Sequence, residues 1–273
     1  MMLTRALESG YTFVGFDVVL KDQDSGIQSL GSPIELSRSK KDKGRILLRH
    51  DVDVDLSAAA VMAHTEAQLG IKSTYFLMWR SPCYNLMSRA GQQYAEQILD
   101  LGHDIGLHYD QGFDSSRSKS NEFSENQINL QADWIEQLLD CQVSAISFHQ
   151  PSKAMLQAGM RCGKRLNTYD RSTFGCFRYI SDSNRIFPLW ALSDKSLGVE
   201  GQLDALKCCF PEDLQLLVHP MWWVYEEEST EKVWDMAIIN NFMLAQKQFL
   251  ETERAYGPQR EFIIKEIKNS SRV

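Results

Sequence analysis

Four short apolar runs along this chain each break off on an aspartate or a histidine, with helical patterns in the stretches between. Ile46, Leu47 and Leu48 lead into His50-Asp51-Val52-Asp53. Residues 104–107 lead into His108, residues 143–148 into His149, and residues 214–218 into His219. Helices are predicted over 56–69, 94–101 and 123–139, the first two closed by Gly70 and Gly102. Glycine just past a helix end takes a backbone conformation that other residues resist. A further strand is predicted over 72–77 and a last helix over 231–254, whose stripe of Trp234, Ile238, Phe242 and Phe249 is expected to cover the outside of the fold. Parallel strands alternating with helices close into barrels or open sheets, and side chains at the strands' C-terminal ends then converge on one face. The pattern predicts an α/β protein with Asp and His gathered at a common mouth.

A chain of 273 residues, 43% hydrophobic, can bury a full core, and no repeat, low-complexity tract or linker divides it. One domain, 1–273, is therefore expected. Its parts are an extension over 1–44, a motif-bearing core over 45–220 and a helical segment over 226–273. With 29 Lys and Arg against 36 Asp and Glu, the charge balance argues against a nucleic acid or anionic lipid partner. Residues 1–10 carry Arg5 and Glu8 and no sustained apolar run. Neither a signal peptide nor a membrane span is drawn there, and a cytoplasmic location is expected. The six cysteines form no Cys-x-x-Cys pair and are read as reduced thiols. Residues 37–44 read as a polar, Lys-rich loop, while residues 172–201 carry no pattern beyond that of a loop that could cover a substrate. Oligomeric state is not legible.

Asp51 and Asp53 stand one residue apart at a strand end, so both carboxylates project to the same side. Like charges at that range raise one pKa unless a cation or a histidine neutralises them, which is how metal sites and general bases are assembled. Asp53 and Asp55 also fit an acidic cluster ahead of the helix beginning near Leu56, and both readings stay open. In His103-Asp104-Ile105-Gly106-Leu107-His108, alternation puts the two histidines on opposite faces. His108, at the far end, is the ligand candidate; His103 packs or caps beside Gly102. Carboxylate and imidazole without clustered thiolates suit a divalent metal in a catalytic site, zinc first, with cobalt, nickel or iron as alternatives. Such an ion activates water for amide hydrolysis, a carboxylate takes the proton, and an imidazole protonates the leaving amine. Asp51 and His219 are the candidates for those two roles.

At these residues the sequence resembles the polysaccharide deacetylases, carbohydrate esterase family 4 with its NodB homology, over about residues 45 to 220. The resemblance implies a deformed (β/α) barrel of about seven parallel strands. The family's first motif, Thr-Phe-Asp-Asp-Gly, stands where this chain has Arg49-His50-Asp51-Val52-Asp53, a variant of a divergent His-Asp-Val-Asp branch. By that analogy Asp51 is the base and Asp53 the metal ligand, with the two assignments exchangeable. The lead-in to the second motif is reproduced by Gly102 to His108, but the motif's second histidine falls on Gly112, so Asp110 and His149 become candidates for the third ligand. Phe148-His149-Gln150-Pro151 is similar to the third motif, Phe-Arg-Pro-Pro, whose arginine orients the base. Leu217-Val218-His219-Pro220 is similar to the fifth, Leu-x-His, whose histidine protonates the departing amine. Asp170 stands where the family has an acidic motif, and Trp222 and Trp223 could stack on a sugar ring.

The site expected on these grounds has Asp51 and His219 catalytic and Asp53, His108 and His149 on the metal. His50, Asp110, Asp170, Trp222 and Trp223 are set beside them as substrate-contacting or orienting residues. The function implied is removal of an N-acyl group, acetyl above all, from an amino sugar of a glycan or surface-polysaccharide precursor. The alternatives are hydrolysis of another C–N bond, such as a formamide or ureide, and a catalytically inactive carbohydrate-binding member.

Overall fold

The computed structural model describes residues 2–24, 44–112, 125–151, 162–170, 173, 177–183, 213–227 and 229–254. The expected loops at 37–44 and 172–201 lie largely outside them, as do Cys176, Cys208 and Cys209. The described helices are α1 (Met2–Glu8), α2 (Phe16–Asp24), α3 (Leu56–Gln68), α4 (Arg89–Asp100), α5 (Glu125–Leu139), α6 (Met221–Val224) and α7 (Thr230–Thr252). The strands are β1 (Tyr11–Phe13), β2 (Gly44–Val52), β3 (Thr74–Leu77), β4 (Asp104–Asp110), β5 (Ala145–His149), β6 (Leu166–Asn167), β7 (Arg178–Ser181) and β8 (Asp213–Val218).

Seven strands lie in the order β6-β5-β4-β3-β2-β8-β7, every pairing parallel, and curl into a half-barrel flanked by helices, a deformed (β/α) barrel. The eighth, β1, pairs with the start of β2 through Tyr11↔Gly44 and Phe13↔Ile46. Because β8 occupies the other edge of β2 from Arg45 to His50, β1 continues the line of the short strand β3. Arg45 fastens the start of β2 to β8 through a 2.7 Å ion pair with Asp213.

Strand alternation divides β2 between two environments. Val52 packs under the helices in a core with Leu56, Ala59, Leu77, Leu107 and Ile135, while Ile46 and Leu48 meet Leu214 and Leu216. The other face carries Leu47, Arg49 and Asp51. There Leu47, Phe76, Ala145, Leu166 and Phe177 are covered by Phe16 and Val19 of α2, which fill the space beneath the site. Each such side chain taken fully from water contributes roughly 2 kcal/mol. An apolar floor below a charged mouth is what nine residues of β2 encode.

Two expectations are corrected at the helices. The helix drawn over 94–101 starts at Arg89, because Ser88 caps it by accepting a hydrogen bond from the Gly91 amide. The helix over 230–252 does not bury its predicted stripe: Val233 and Ala237 are its buried residues, whereas Ile238, Phe242 and Phe249 are exposed. Trp234 turns instead to Trp222, ring centroids 5.6 Å apart. Asn240 and Asn241 hold α7 by donating to the Asp55 carboxylate and the Val54 carbonyl. A polar hinge beside Val233 and Ala237 thus seats a helix whose apolar side chains point several ways.

Candidate active site

The ends of β2, β4, β5 and β8 bring their polar residues to one mouth, as parallel strands must. His108 Nε2 lies 3.0 Å from Asp53 Oδ1, His149 Nδ1 lies 3.2 Å from the same oxygen, and the two imidazole nitrogens are 3.3 Å apart. These three residues each offer one donor atom within a common 4.8 Å span. Donors about 2.1 Å from an ion in a tetrahedral shell sit roughly 3.4 Å from one another, so the triangle has the size of a metal site. Asp53 Oδ1 is buried, with both imidazole nitrogens directed to it. Burial would raise the Asp53 carboxyl, but His108, His149 and His219 hold it far below the usual carboxylate range. A carboxylate and two imidazoles are donors suited to a divalent cation.

Asp55, not Asp53, takes the helix cap. Its Oδ1 accepts from the amides of Ser57 and Ala58 at 2.8 and 3.3 Å, and its Oδ2 from Tyr225 and Asn240. That division of labour resolves the two readings of the acidic cluster and leaves Asp53 to the mouth.

Asp51 is wholly enclosed. Arg49, 0% exposed, donates to it with Nε at 2.8 Å and Nη2 at 2.6 Å, a two-point clamp along one strand face. The guanidinium is itself fixed by Thr168 Oγ1 and Tyr169 OH, each at 2.9 Å. Ser147 donates to Asp51 Oδ1 at 3.1 Å and bonds His108 Nδ1, joining the carboxylate to the imidazole. Burial opposes ionisation of Asp51, but Arg49, His108 and His219 bring its carboxyl down to about 2. His219 approaches Asp53 from the opposite side, Nε2 to Oδ2 3.7 Å. Its Nδ1 lies 2.6 Å from Asp182, a fully buried carboxylate that also accepts from the His219 amide and Trp223 Nε1. Burial lowers the His219 imidazole, but Asp182 outweighs it and pushes the ring up to about 9.

Sequence reasoning gave neither Arg49 nor Asp182 a role. Alternation from Asp51 places Arg49 on the same face, and a buried arginine requires a partner, so that signal was available. Asp182 follows the half-buried strand Arg178–Ser181, which lies in a segment whose pattern is too short to read.

A pocket of about 540 Å³ opens here, lined by Asp51, Asp53, His108, His149 and His219, with Tyr169 and Trp222 among its walls. Four other expected residues stand elsewhere. His50 alternates to the helix-covered face, where at 1% exposure it pairs with Glu66 at 2.8 Å and stacks on Tyr75. Its assignment to substrate is corrected on that ground. Trp223 lies outside the lining, exposed, with its indole turned to Asp182. Asp110 accepts from the Gly112 amide, and Asp170 is likewise absent from the walls, its place taken by Tyr169. His103 is buried between Ser73 and the Ala63 carbonyl, on the face away from the mouth.

No protein-family model matches the sequence, and no curated protein matches it. Among solved structures the fold is similar to a wild-type family 4 carbohydrate esterase pseudoenzyme of Bacillus anthracis (14% identity, 73% of this chain and 60% of that one, TM-score 0.39). It is similar to a polysaccharide deacetylase of Bacillus cereus (16% identity, 74% and 88% of the two chains, TM-score 0.42). A family 4 carbohydrate esterase of Bacillus anthracis is similar over 85% of this chain and 86% of its own, at 14% identity and TM-score 0.40. The chain spans less than two thirds of the pseudoenzyme's length. Among the described residues no helix is long and apolar enough to cross a membrane.

Proposed function

We propose that this chain is a metal-dependent hydrolase that removes an N-acyl group, acetyl in the first instance, from an amino sugar. The observation that carries the reading is the convergence of Asp53, His108 and His149 beside a clamped carboxylate and a raised imidazole. A divalent cation on those three residues, zinc before cobalt, nickel or iron, would supply Lewis acidity that activates water and polarises an acyl oxygen. Asp51, held ionised by Arg49, accepts the proton that water gives up. His219, kept protonated at neutral pH by Asp182, donates a proton to the leaving amine. Arg49 and Asp182 act as positioning residues: each fixes the orientation of the group that moves a proton. Tyr169, Phe148 and Trp222 wall the pocket with rings on which the apolar face of a sugar can rest. A biosynthetic precursor handled in the cytoplasm, in a surface-polysaccharide pathway, is the substrate setting that fits the motif resemblance.

One feature favours a second reading. The two-point clamp lowers the basicity of Asp51 well below what a general base needs at neutral pH, which suits a carbohydrate-binding member without turnover. Hydrolysis of a formamide or ureide would use the same groups. Purified protein supplied with zinc, cobalt or nickel and offered N-acetylated amino sugars decides between them. Release of acetate that disappears in Asp51→Asn supports the hydrolase. Sugar binding with no acetate from any metal form supports the binder, and cleavage restricted to formyl or ureido substrates supports the third.

A further inference from the structure

Exposed apolar side chains are not spread evenly over this molecule. Among the described residues twelve large ones are exposed, and eight of them belong to α7; the other four, Val61, Met87, Leu130 and Trp223, stand on four different segments. Single exposed apolar residues are ordinary, whereas a concentration on one helix is not. Val233 and Ala237, both fully buried, and the Asn240 and Asn241 hydrogen bonds mark the side by which α7 is seated. At about 100° per residue, Ile238, Ile239, Phe242, Met243 and Leu250 fall on the opposite side, with Met236 at its margin.

The six side chains are between 39% and 58% exposed. At roughly 200 Å² for a large apolar side chain, they present on the order of 600 Å² of apolar surface, the top of the range for the largest patch on a typical monomer. With Lys232, Asp235 and Lys247 exposed around it, the face approaches the ~800 Å² that each partner brings to a standard interface, an apolar centre inside a polar rim. Met236, Ile239, Met243, Gln246 and Leu250 follow one another at three and four residues, which is the spacing of a seam between paired helices.

Charge says which partner fits. The chain carries a net charge of −7, so much of its surface repels a second copy, yet residues 236–246 hold no ionisable side chain. A two-fold contact brings a patch against itself, and an uncharged apolar patch meets its own copy with no like charge to bury.

We infer that the outward face of α7 is the contact between two copies of this chain, related by a two-fold axis and packed α7 against α7. The helix then has cover on both sides, the barrel on one and the partner on the other. Trp234 of the same helix lines the catalytic pocket, so the pairing also steadies one wall of that pocket. The contact itself does not rest on the hydrolase reading.

Sedimentation velocity of the full chain over a dilution series tests the contact. The species expected at high concentration has the mass of two chains and gives way to one chain on dilution. Ile239→Lys and Met243→Lys each bring a charge to the seam, and the two-fold makes each count twice. Either substitution should weaken dimerisation on the order of 100-fold or more while keeping the wild-type far-UV circular dichroism. Val61→Lys, at a comparably exposed apolar position on α3, should leave the dimer intact. A dimer that survives both seam substitutions is held by another face and overturns the inference, as does dissociation by Val61→Lys to the same extent. A monomer at every concentration overturns it too, and leaves the face to a lipid surface or to residues 255–273 of the same chain.

Discussion

His108 is held at both ring nitrogens, with Nε2 beside Asp53 and Nδ1 on Ser147. An outer partner of this kind fixes the tautomer and aim of a ligand, and its loss costs about 10–100-fold in metal affinity. Ser147→Ala is therefore expected to weaken zinc binding by that factor in a calorimetric titration, while Asp53→Ala, His108→Ala and His149→Ala each weaken it further. Asp51→Asn should leave affinity closer to wild type and lose hydrolysis. Under the helices a different cluster carries stability. Glu66 accepts from Ser73 and Tyr75 and pairs with His50; burial would raise its carboxyl, but these partners hold it below its ordinary value. A carboxyl depressed by folding contributes stability above its unfolded pKa of about 4.3 and loses it as pH falls through the lower folded value. Glu66→Gln is expected to cost about 3 kcal/mol at pH 7, measured by denaturant unfolding, and the gap from wild type should narrow below about pH 4. The two-faced logic of β2 was only half legible. The Asp51–Asp53 spacing puts both carboxylates on one side, and the same alternation applied to positions 49 and 50 distinguishes the clamp from the core histidine. The motif drew His50 to the site because neighbours in sequence were weighed above faces.

Elements were legible where periodicity was long. The strand ends, with helices between them, could be read because a buried strand that opens onto a polar mouth must change from apolar to charged residues within a step or two, and β2, β4, β5 and β8 carry that pattern. The starts of α4 and β1 were not: Ser88 lies outside the apolar periodicity, and three residues of β1 are too few for alternation. The terminal helix misled because a stripe in sequence says which residues share a side, not whether anything covers that side. Close packing between β3, β4 and β5 offers a test at this scale. A Cβ on Gly106 would lie 2.5 Å from the Phe76 ring and 3.1 Å from the Ala145 carbonyl, both inside a filled core. Gly106→Ala should destabilise by about 1–3 kcal/mol, read as a lower denaturation midpoint, whereas a neutral substitution would mean β4 can shift away from its neighbours.

At the scale of the whole molecule, the strand order gathers groups more than 160 positions apart in sequence, Asp53 and His219 among them, 3.7 Å from each other. Parallel sheet topology accomplishes this without any local motif, which is why the mouth, and Arg49 by alternation along β2, are legible in the sequence while Asp182, past a strand of four residues, is not. Arg49 and Asp182 enter from the same topology, one along β2 and the other past β7, and between them they set opposite charges on the two proton-carrying groups. At the centre of the mouth, Asp53, His108 and His149 share a divalent cation in the proposed enzyme. Crystals of the zinc-loaded protein measured at the zinc absorption edge test this directly. The prediction is one anomalous peak within bonding distance, about 2.0–2.3 Å, of Asp53 Oδ1, His108 Nε2 and His149 Nδ1. Zinc-saturated crystals with no peak at those three atoms, or with a peak held by other residues, would contradict it.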